Sequence, residues 1–177
     1  MGGTDKLTVP LDGRGSLARL LDGFPEAQVV VAVGPVRDTE REVRWCREQP
    51  PGGGPLAAVA AALPLTAAPV VVIAAGDMPR LGDATAALLA PFADGSRSGA
   101  DAAVLRDRAG VRNPIAAAYR RTALTRRLAD IGPPGGLPAR LLFDGLVVVD
   151  ITDGGAGTDC DTWDDVDRIT KELRRAR

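Results

Sequence analysis

The sequence predicts one α/β domain, built on a doubly wound, mostly parallel sheet with helices on both faces. The apolar runs are short, rich in valine and apolar at consecutive positions, which is typical of strands that are covered on both sides. Segments with helix-start signals lie between these runs, so strand and helix alternate along the chain. We find no internal repeat or linker long enough to divide it, and residues 1–177 therefore form a single predicted domain.

Six strands are expected from the apolar runs. Four runs are apolar at all or nearly all positions, and two further segments are weaker candidates. In chain order, the clear strands are residues 29–33, 70–75, 102–105 and 146–151, and the weaker strands are residues 43–46 and 115–119.

Five helices are expected, each with a recognisable start. Four follow a side chain that can cap the first turn, and the other begins at the proline of a Gly-Pro pair, which is the favoured first helical position for proline. Thr162 also has Asp165 three residues later, which resembles a capping box. The predicted helices are residues 17–21 after Ser16, 55–63 after Gly54, 84–89 after Asp83, 123–129 after Thr122 and 163–175 after Thr162.

Composition excludes several classes of function. The chain has 22 Lys and Arg against 23 Asp and Glu, and the net charge of -1 gives no electrostatic reason to expect a nucleic-acid or membrane partner. Histidine is absent, which excludes Ser-His-Asp and Cys-His catalysis and histidine-bound zinc. The longest apolar run, residues 67–75, is far shorter than the roughly 20 residues of a membrane span. With no export signal in front of the domain, a cytoplasmic location is expected.

Ligands of a doubly wound sheet bind at the carboxyl ends of its strands. That rule selects Gly34-Pro35, Gly76-Asp77 and residues 153–161. Asp77 is the strongest single candidate, because it places a carboxylate where a buried strand opens to solvent. Mg²⁺ is commonly held by one or two carboxylates, with substrate phosphates completing its shell. A turn-forming aspartate is an equally weighted alternative from position alone.

Three further segments carry groups that suit a nucleotide. Residues 52–56 form a glycine-rich loop before a helix, whose N–H groups can bind an anion, although glycine also serves steric needs there. Lys6 follows a glycine pair and can reach phosphate oxygens, unless it belongs to a frayed terminus. Asp159 and Asp161 share one face of an extended segment, which suits a metal or ribose contact. For Asp161, assistance to the Thr162 cap is the alternative.

Taken together, these motifs resemble a known family. GGTDKL at residues 2–7, PPGGGPLAA at residues 50–58, GDMP at residues 76–79 and DCDT at residues 159–162 occur in the order and spacing of the molybdenum cofactor guanylyltransferases. Those enzymes belong to the MobA-like nucleotidyltransferase family. The resemblance extends over essentially the whole chain and implies a Rossmann-like nucleotidyltransferase fold.

The resemblance also implies roles for individual residues. Lys6 would be the phosphate-binding lysine, and Asp77 the Mg²⁺ ligand, with Asp159 and Asp161 as further metal candidates. Asparagine is frequent at the last two positions in guanylyl members, whereas aspartate is shared with cytidylyl relatives, so this motif leaves the base open. The candidate nucleotide-binding residues are Lys6, Glu48, Gly53, Gly54, Pro55 and Leu56.

The beginning of the chain departs from the family pattern. Members begin with a strand and a loop of the form LAGGxxxRMGxDK, and this sequence begins at the methionine of that motif. The resemblance therefore leads us to expect an N-terminally truncated fold, without the first strand and part of the phosphate cradle. A start assigned too late and a truncated protein are the two explanations.

By resemblance, the expected reaction transfers GMP from GTP to the terminal phosphate of molybdopterin and releases pyrophosphate, with Mg²⁺ as cofactor. The expected partners are these small molecules, with transient contact to molybdenum cofactor proteins. Within the enzyme class, the alternatives are CMP transfer to molybdopterin and GMP transfer to a small phosphorylated acid. In a different class, the chain would be a non-catalytic nucleotide-binding or assembly partner.

Overall fold

The computed structural model describes residues 5–175, so residues 2–4 of the GGTDKL motif lie outside the described part. The strands are β1 (Pro10–Leu11), β2 (Arg14–Gly15), β3 (Val31–Val33), β4 (Arg44–Cys46), β5 (Val70–Ala74), β6 (Ala102–Arg106), β7 (Arg112–Arg120) and β8 (Val148–Thr152). The α-helices are α1 (Ser16–Asp22), α2 (Pro55–Ala62), α3 (Thr85–Leu89), α4 (Arg121–Ile131) and α5 (Trp163–Arg175). Short 3₁₀ helices cover Lys6–Thr8, Leu63–Leu65, Leu81–Ala84, Ala90–Phe92 and Ala139–Phe143.

The main sheet has four strands in the order β5-β7-β6-β8. β6 and β8 are parallel, and β7 runs antiparallel to both of its neighbours. Consequently β5, β6 and β8 all point the same way, and their carboxyl ends lie at one edge. The sheet is therefore mixed, with three of its four strands in the same direction, which confirms the predicted, mostly parallel fold class.

A second, smaller sheet consists of the parallel strands β3 and β4. Among residues 5–175, β3 pairs only with β4 and β5 only with β7, so the parallel strands are divided between two sheets. Helix α2 links them, because it contacts β3 and also packs against Val71 and Ile73 of β5. A helix laid across both sheets covers apolar side chains of each.

The apolar side chains of the four-stranded sheet divide between its two faces. One face packs against Leu20 of α1 and Leu88 of α3, and the other packs against α2 and Leu124 of α4. The helices therefore lie on both faces, as predicted for strands that are apolar at consecutive positions. A third cluster joins the β1–β2 hairpin to α5 around Cys160. None of the helices between residues 5 and 175 combines the length and apolar character that a membrane span requires.

Three of the predicted helix caps are wrong. Ser16 is the first helical residue, and its hydroxyl donates to the Gly76 carbonyl oxygen at 3.2 Å instead of capping α1. Asp83 lies inside a 3₁₀ helix and accepts from Arg80, and Thr122 lies inside α4. For Ser16 and Asp83, a hydrogen bond to another residue replaces the predicted cap. The capping box at Thr162 is confirmed by reciprocal hydrogen bonds with Asp165.

Gly23 and Gly82 allow the end of α1 to touch the 3₁₀ helix before α3. A Cβ on residue 82 would lie 2.3 Å from the Cα of Gly23 and 2.9 Å from its carbonyl oxygen. Because both obstacles are backbone atoms, Gly82→Ala should lower the free energy of unfolding by about 1–3 kcal/mol. Urea denaturation measures this, with Gly135→Ala as the control, since a Cβ there meets nothing within 4 Å. Equal stability of the two variants would contradict the packing argument.

Tyr119 is fully buried, and its hydroxyl donates to the Pro114 carbonyl oxygen at 2.9 Å. Burial raises the pKa of this phenol well above its usual value of 10.0. At neutral pH, Tyr119→Phe should cost about 1 kcal/mol through the lost hydrogen bond. Above pH 10.0 the unfolded chain loses the phenol proton while the folded chain keeps it, so wild-type stability falls and the difference from the variant shrinks. Urea denaturation of both proteins from pH 7 to about 11 checks this; a constant difference contradicts it.

Candidate functional site

The main chain at Asp77 is held at the carboxyl end of β5 from two sides. The amide of Cys160 donates to the Asp77 carbonyl oxygen at 2.9 Å, and Ser16 anchors the preceding Gly76. Gly76 lets the Leu7 side chain pack closely against the end of β5, since a Cβ on residue 76 would lie 2.9 Å from Cδ2 of Leu7. The Asp77 carboxylate accepts no hydrogen bond from within residues 5–175 that would tie it down. Its position is fixed by backbone contacts, which leaves the side chain available to a ligand.

Lys6 is carried by the 3₁₀ helix Lys6–Thr8 and meets a residue far away in the sequence. Its Nζ lies 2.6 Å from Oδ1 of Asp161, 155 residues further along the chain. The hydrogen bond to Asp161 is the largest cause that raises the pKa of Lys6, and the charges of Asp77 and Asp159 add to it. The structure thus brings one ammonium group together with three carboxylates, all four of them predicted site residues.

Asp159 is the most perturbed carboxylate of this group. Partial desolvation, followed by the charges of Asp77 and Asp161, raises its pKa to about 6, while Lys6 acts in the opposite direction. The residue nevertheless remains exposed to solvent, so a cation can approach it. The negative charges of Asp77 and Asp161 disfavour ionisation of Asp159, so a bound cation would stabilise the three carboxylates in their ionised form.

The donor set suits a hard cation such as Mg²⁺, which prefers oxygen ligands. Within the described chain, however, no three acidic, histidine or cysteine side chains are arranged closely enough to hold a metal ion by themselves. The carboxylates therefore offer one or two ligands, and phosphate oxygens would have to complete the shell. That division is the usual one for Mg²⁺ bound together with a nucleotide.

Asp153 shapes the loop that brings residues 159–161 to Asp77. Its amide donates to the Arg106 carbonyl oxygen, which fixes the start of the loop at the end of β6. Its Oδ1 accepts from the amides of Gly155 at 2.8 Å and Gly157 at 3.2 Å. The loop therefore runs from the end of β8 across to the end of β5.

The glycine-rich loop has the predicted form and begins α2 at Pro55. Gly54 precedes the helix with φ of 87°, a conformation that favours glycine. Glu48 accepts from the Gly52 amide at 2.9 Å, and hydrogen bonds from its own amide and from Gly52 lower its pKa. Gly53 is tightly enclosed, since a Cβ would lie 2.8 Å from that of Ala57. The carboxylate of Glu48 thus stabilises the conformation of the glycine-rich loop through the Gly52 amide.

A cleft of about 540 Å³ lies beside this loop, between α2 and the segment that follows α4. The amide of Gly136 donates to the Gly53 carbonyl oxygen at 2.9 Å and ties the two walls together. Pro55 is exposed, but the Leu56 side chain is completely buried in the core and can offer a ligand only its backbone. Lys6, Asp77, Asp159 and Asp161 are called the Lys6 group below. No hydrogen bond found within residues 5–175 joins the glycine-rich loop directly to this group. The lining residues include Arg47, Glu48, Gln49, Gly53, Ala57 and Pro133.

The loop after β3 is connected to the segment that carries Lys6, through a residue that no motif singled out. Arg37 forms an ion pair with Asp5, the residue that precedes Lys6. The only signal in the sequence was the sheet rule, which selected the neighbouring Gly34-Pro35. Hydrogen bonds and ion pairs therefore connect the three places that the rule selected, which are Gly34-Pro35, Gly76-Asp77 and residues 153–161.

Comparison with solved structures finds the same fold in several proteins. A 2-C-methyl-D-erythritol 4-phosphate cytidylyltransferase from Thermus thermophilus has a TM-score of 0.71 at 18% identity, covering 97% of this chain and 95% of that one. Molybdopterin-guanine dinucleotide biosynthesis protein A from Archaeoglobus fulgidus has a TM-score of 0.66 at 22% identity, covering 98% and 92%. Rv0371c from Mycobacterium tuberculosis H37Rv, in complex with manganese, has a TM-score of 0.59 at 19% identity, covering 96% and 93%.

No curated protein matches the sequence. The sequence pattern of the MobA-like NTP transferase domain, by contrast, matches residues 1–142, which is most of the chain. That match includes Lys6, Glu48, the glycine-rich loop and Asp77. The chain therefore belongs to the MobA-like NTP transferase family.

Proposed function

We propose that this chain transfers GMP from GTP to the terminal phosphate of molybdopterin and releases pyrophosphate. The observation that carries the proposal is the contact of Lys6 with Asp161, close to Asp77 and Asp159 and at the carboxyl ends of the strands. One ammonium group beside several carboxylates suits a triphosphate that arrives with a divalent cation. Membership of the family and the similarity to the Archaeoglobus fulgidus protein support the guanylyl reaction.

The chemistry requires little of the protein beyond positioning and charge. A phosphate oxygen of the acceptor is already ionised at pH 7, so it attacks the α-phosphorus of GTP without a general base. The new phosphorus–oxygen bond forms as the bond to the bridging oxygen breaks, and that electron pair leaves with pyrophosphate. A chain without histidine is suited to this reaction.

Lys6 changes partner in the proposed reaction. In the structure its ammonium group is paired with Asp161, and both side chains are about half exposed, at 42% and 55%. Such exposed pairs contribute little to stability, so a phosphate oxygen can replace Asp161 at low cost. Lys6 then meets the charge that develops on the triphosphate, and Asp161 is released towards a cation.

Mg²⁺ would be held by Asp77, with Asp159 or Asp161 as a second carboxylate. When bound, it supplies positive charge that neutralises the phosphates. The manganese complex of Rv0371c, which has the same fold, supports the proposal of a divalent cation. At the glycine-rich loop, the amides before α2 offer donors to the nucleotide, and Glu48 keeps that loop in shape.

Cytidylyl transfer is the second candidate. The aspartates at positions 159 and 161 are the form shared with cytidylyl relatives, and the Thermus thermophilus cytidylyltransferase has the same fold. CMP transfer to molybdopterin and GMP transfer to a small phosphorylated acid follow from the same site with a different base or acceptor. A non-catalytic binding role would preserve nucleotide affinity without release of pyrophosphate.

A thermal-shift panel tests the proposal on this chain, with GTP, CTP and ATP, each with and without Mg²⁺. A ligand that binds only the folded state raises the melting temperature by mass action. We expect a shift that is selective for GTP and requires Mg²⁺. A shift selective for CTP would replace the first candidate by the second, and no shift with any nucleotide would overturn both.

A further inference from the structure

Arg37 is bound firmly to the residue before Lys6. Its Nε donates to Oδ2 of Asp5 at 3.0 Å, and its Nη2 donates to Oδ1 at 3.3 Å, which gives a two-point contact. Its Nη1 donates to the Pro35 carbonyl oxygen at 3.0 Å. The guanidinium is therefore fixed to the loop after β3, and only 21% of the side chain is exposed. A planar, two-point contact of this kind fixes orientation as well as distance.

Asp5 in turn determines the turn that carries Lys6. Its Oδ1 accepts from the Leu7 amide at 3.2 Å, and its carbonyl oxygen accepts from the amide and hydroxyl of Thr8 at 3.1 Å and 2.9 Å. The hydrogen bond from Arg37, followed by that from Leu7, lowers the pKa of Asp5 and keeps it charged. One carboxylate thus joins the loop after β3 to the first turn of the Lys6–Thr8 helix.

We propose that Arg37 is a positioning residue, which acts through Asp5 to hold Lys6 in place beside Asp77. The contact of Leu7 with Gly76 fixes one side of the turn against the end of β5, and the Asp5–Arg37 pair fixes the other side against the loop after β3. Without Arg37 the turn loses its ion pair with the loop after β3. The consequence for catalysis rests on the proposed function, whereas the consequence for the position of Lys6 does not.

The chain offers a direct probe of this position, because its two lysines are Lys6 and Lys171. Reductive methylation with ¹³C-formaldehyde labels both ε-amines, and Lys171→Arg assigns their NMR signals at one fixed pH. Arg37→Ala and Asp5→Ala should each move the Lys6 signal towards the position of a free dimethyl-lysine and sharpen it. Arg37→Lys should restore part of the wild-type shift. An unmoved Lys6 signal in Arg37→Ala would overturn the proposal.

Arg127 provides a matched control. It pairs with Asp144 at 3.1 Å and donates to the Leu141 carbonyl oxygen, so it makes the same kinds of contact as Arg37, and 17% of its side chain is exposed. Arg127→Ala should leave the Lys6 signal in place. If it moves the signal as much as Arg37→Ala does, the effect belongs to general loosening and the proposal fails.

Kinetics test whether the two residues act as one unit. With the nucleotide that the thermal-shift panel selects, Arg37→Ala and Asp5→Ala should each lower kcat about tenfold, with little change in KM. The double variant should then be no slower than either single variant, because the same support is lost. A loss of about a hundredfold in the double variant, the product of two independent effects, would contradict action through Asp5. If the wild type transfers no nucleotide, the proposed function fails, and the lysine signals alone decide the positioning role.

Discussion

Asp77→Ala is expected to lower kcat by at least about a hundredfold, because it removes the carboxylate that we propose as the ligand of the divalent cation. The substitution leaves the hydrogen bond between the Cys160 amide and the residue-77 carbonyl oxygen intact, so the fold should survive. The rate of pyrophosphate release at saturating GTP and Mg²⁺ measures the effect. The same variant should lose the Mg²⁺-dependent part of the thermal shift.

Asp83→Ala is the control for Asp77→Ala. Asp83 lies shortly after Asp77, is paired with Arg80, and has an exposed side chain with no contact to the Lys6 group. We expect its turnover to match the wild type. Wild-type turnover in Asp77→Ala, with the control unchanged, would contradict the assignment of Asp77 to the metal.

Lys6→Met is expected to reduce kcat/KM by about a hundredfold, since the ammonium group is the positive charge placed among the site carboxylates. Methionine keeps much of the length of the side chain and removes only the charge. Asp161 then loses its partner, and the remaining negative charges repel the triphosphate. Steady-state kinetics with varied GTP at fixed Mg²⁺ check the prediction.

Lys171→Met is the matched control, because Lys171 is the other lysine of the chain and lies on the exposed face of α5. Its kinetics should equal those of the wild type. Equal rates for Lys6→Met and the wild type would show that the ion pair with Asp161 is structural.

The strands were predictable because their burial leaves a simple trace in the sequence. Residues 70–75 and 102–105 are apolar at consecutive positions, and both strands are paired and covered by helices in the structure. β7 extends further than the predicted residues 115–119, because its first residues are polar or proline and are held by pairing with β6 beyond a bulge. A local pattern cannot report a partner that lies elsewhere in the chain.

The β1–β2 hairpin was missed although the sequence contains its signal. Asp12-Gly13 forms a two-residue turn, with φ of 50° and 83°, between the paired strands. An Asp-Gly pair is a strong hairpin signal, but strands of two residues are too short to show any periodicity. The Asp12-Gly13 pair should have outweighed the absence of an alternating strand pattern.

The site was less predictable than the fold. Asp77 followed from its place at the end of a buried strand, but the contact between Lys6 and Asp161 spans 155 residues and has no local signature. Lys6 and Asp161 were each a candidate on local grounds with an alternative interpretation, and the resemblance to a family supplied their functional roles. Arg37 was missed because its role depends on a tertiary ion pair, whereas Leu56 was included although its side chain is buried in the core.

The most direct test of the proposed reaction follows the label from α-³²P-GTP in the presence of Mg²⁺ and molybdopterin. We expect the label to move to a molybdopterin-containing product, with one pyrophosphate released per transfer, and we expect Asp77→Ala and Lys6→Met to abolish most of this product. Transfer from labelled CTP but not from GTP, or GTP binding with no labelled product, would contradict it.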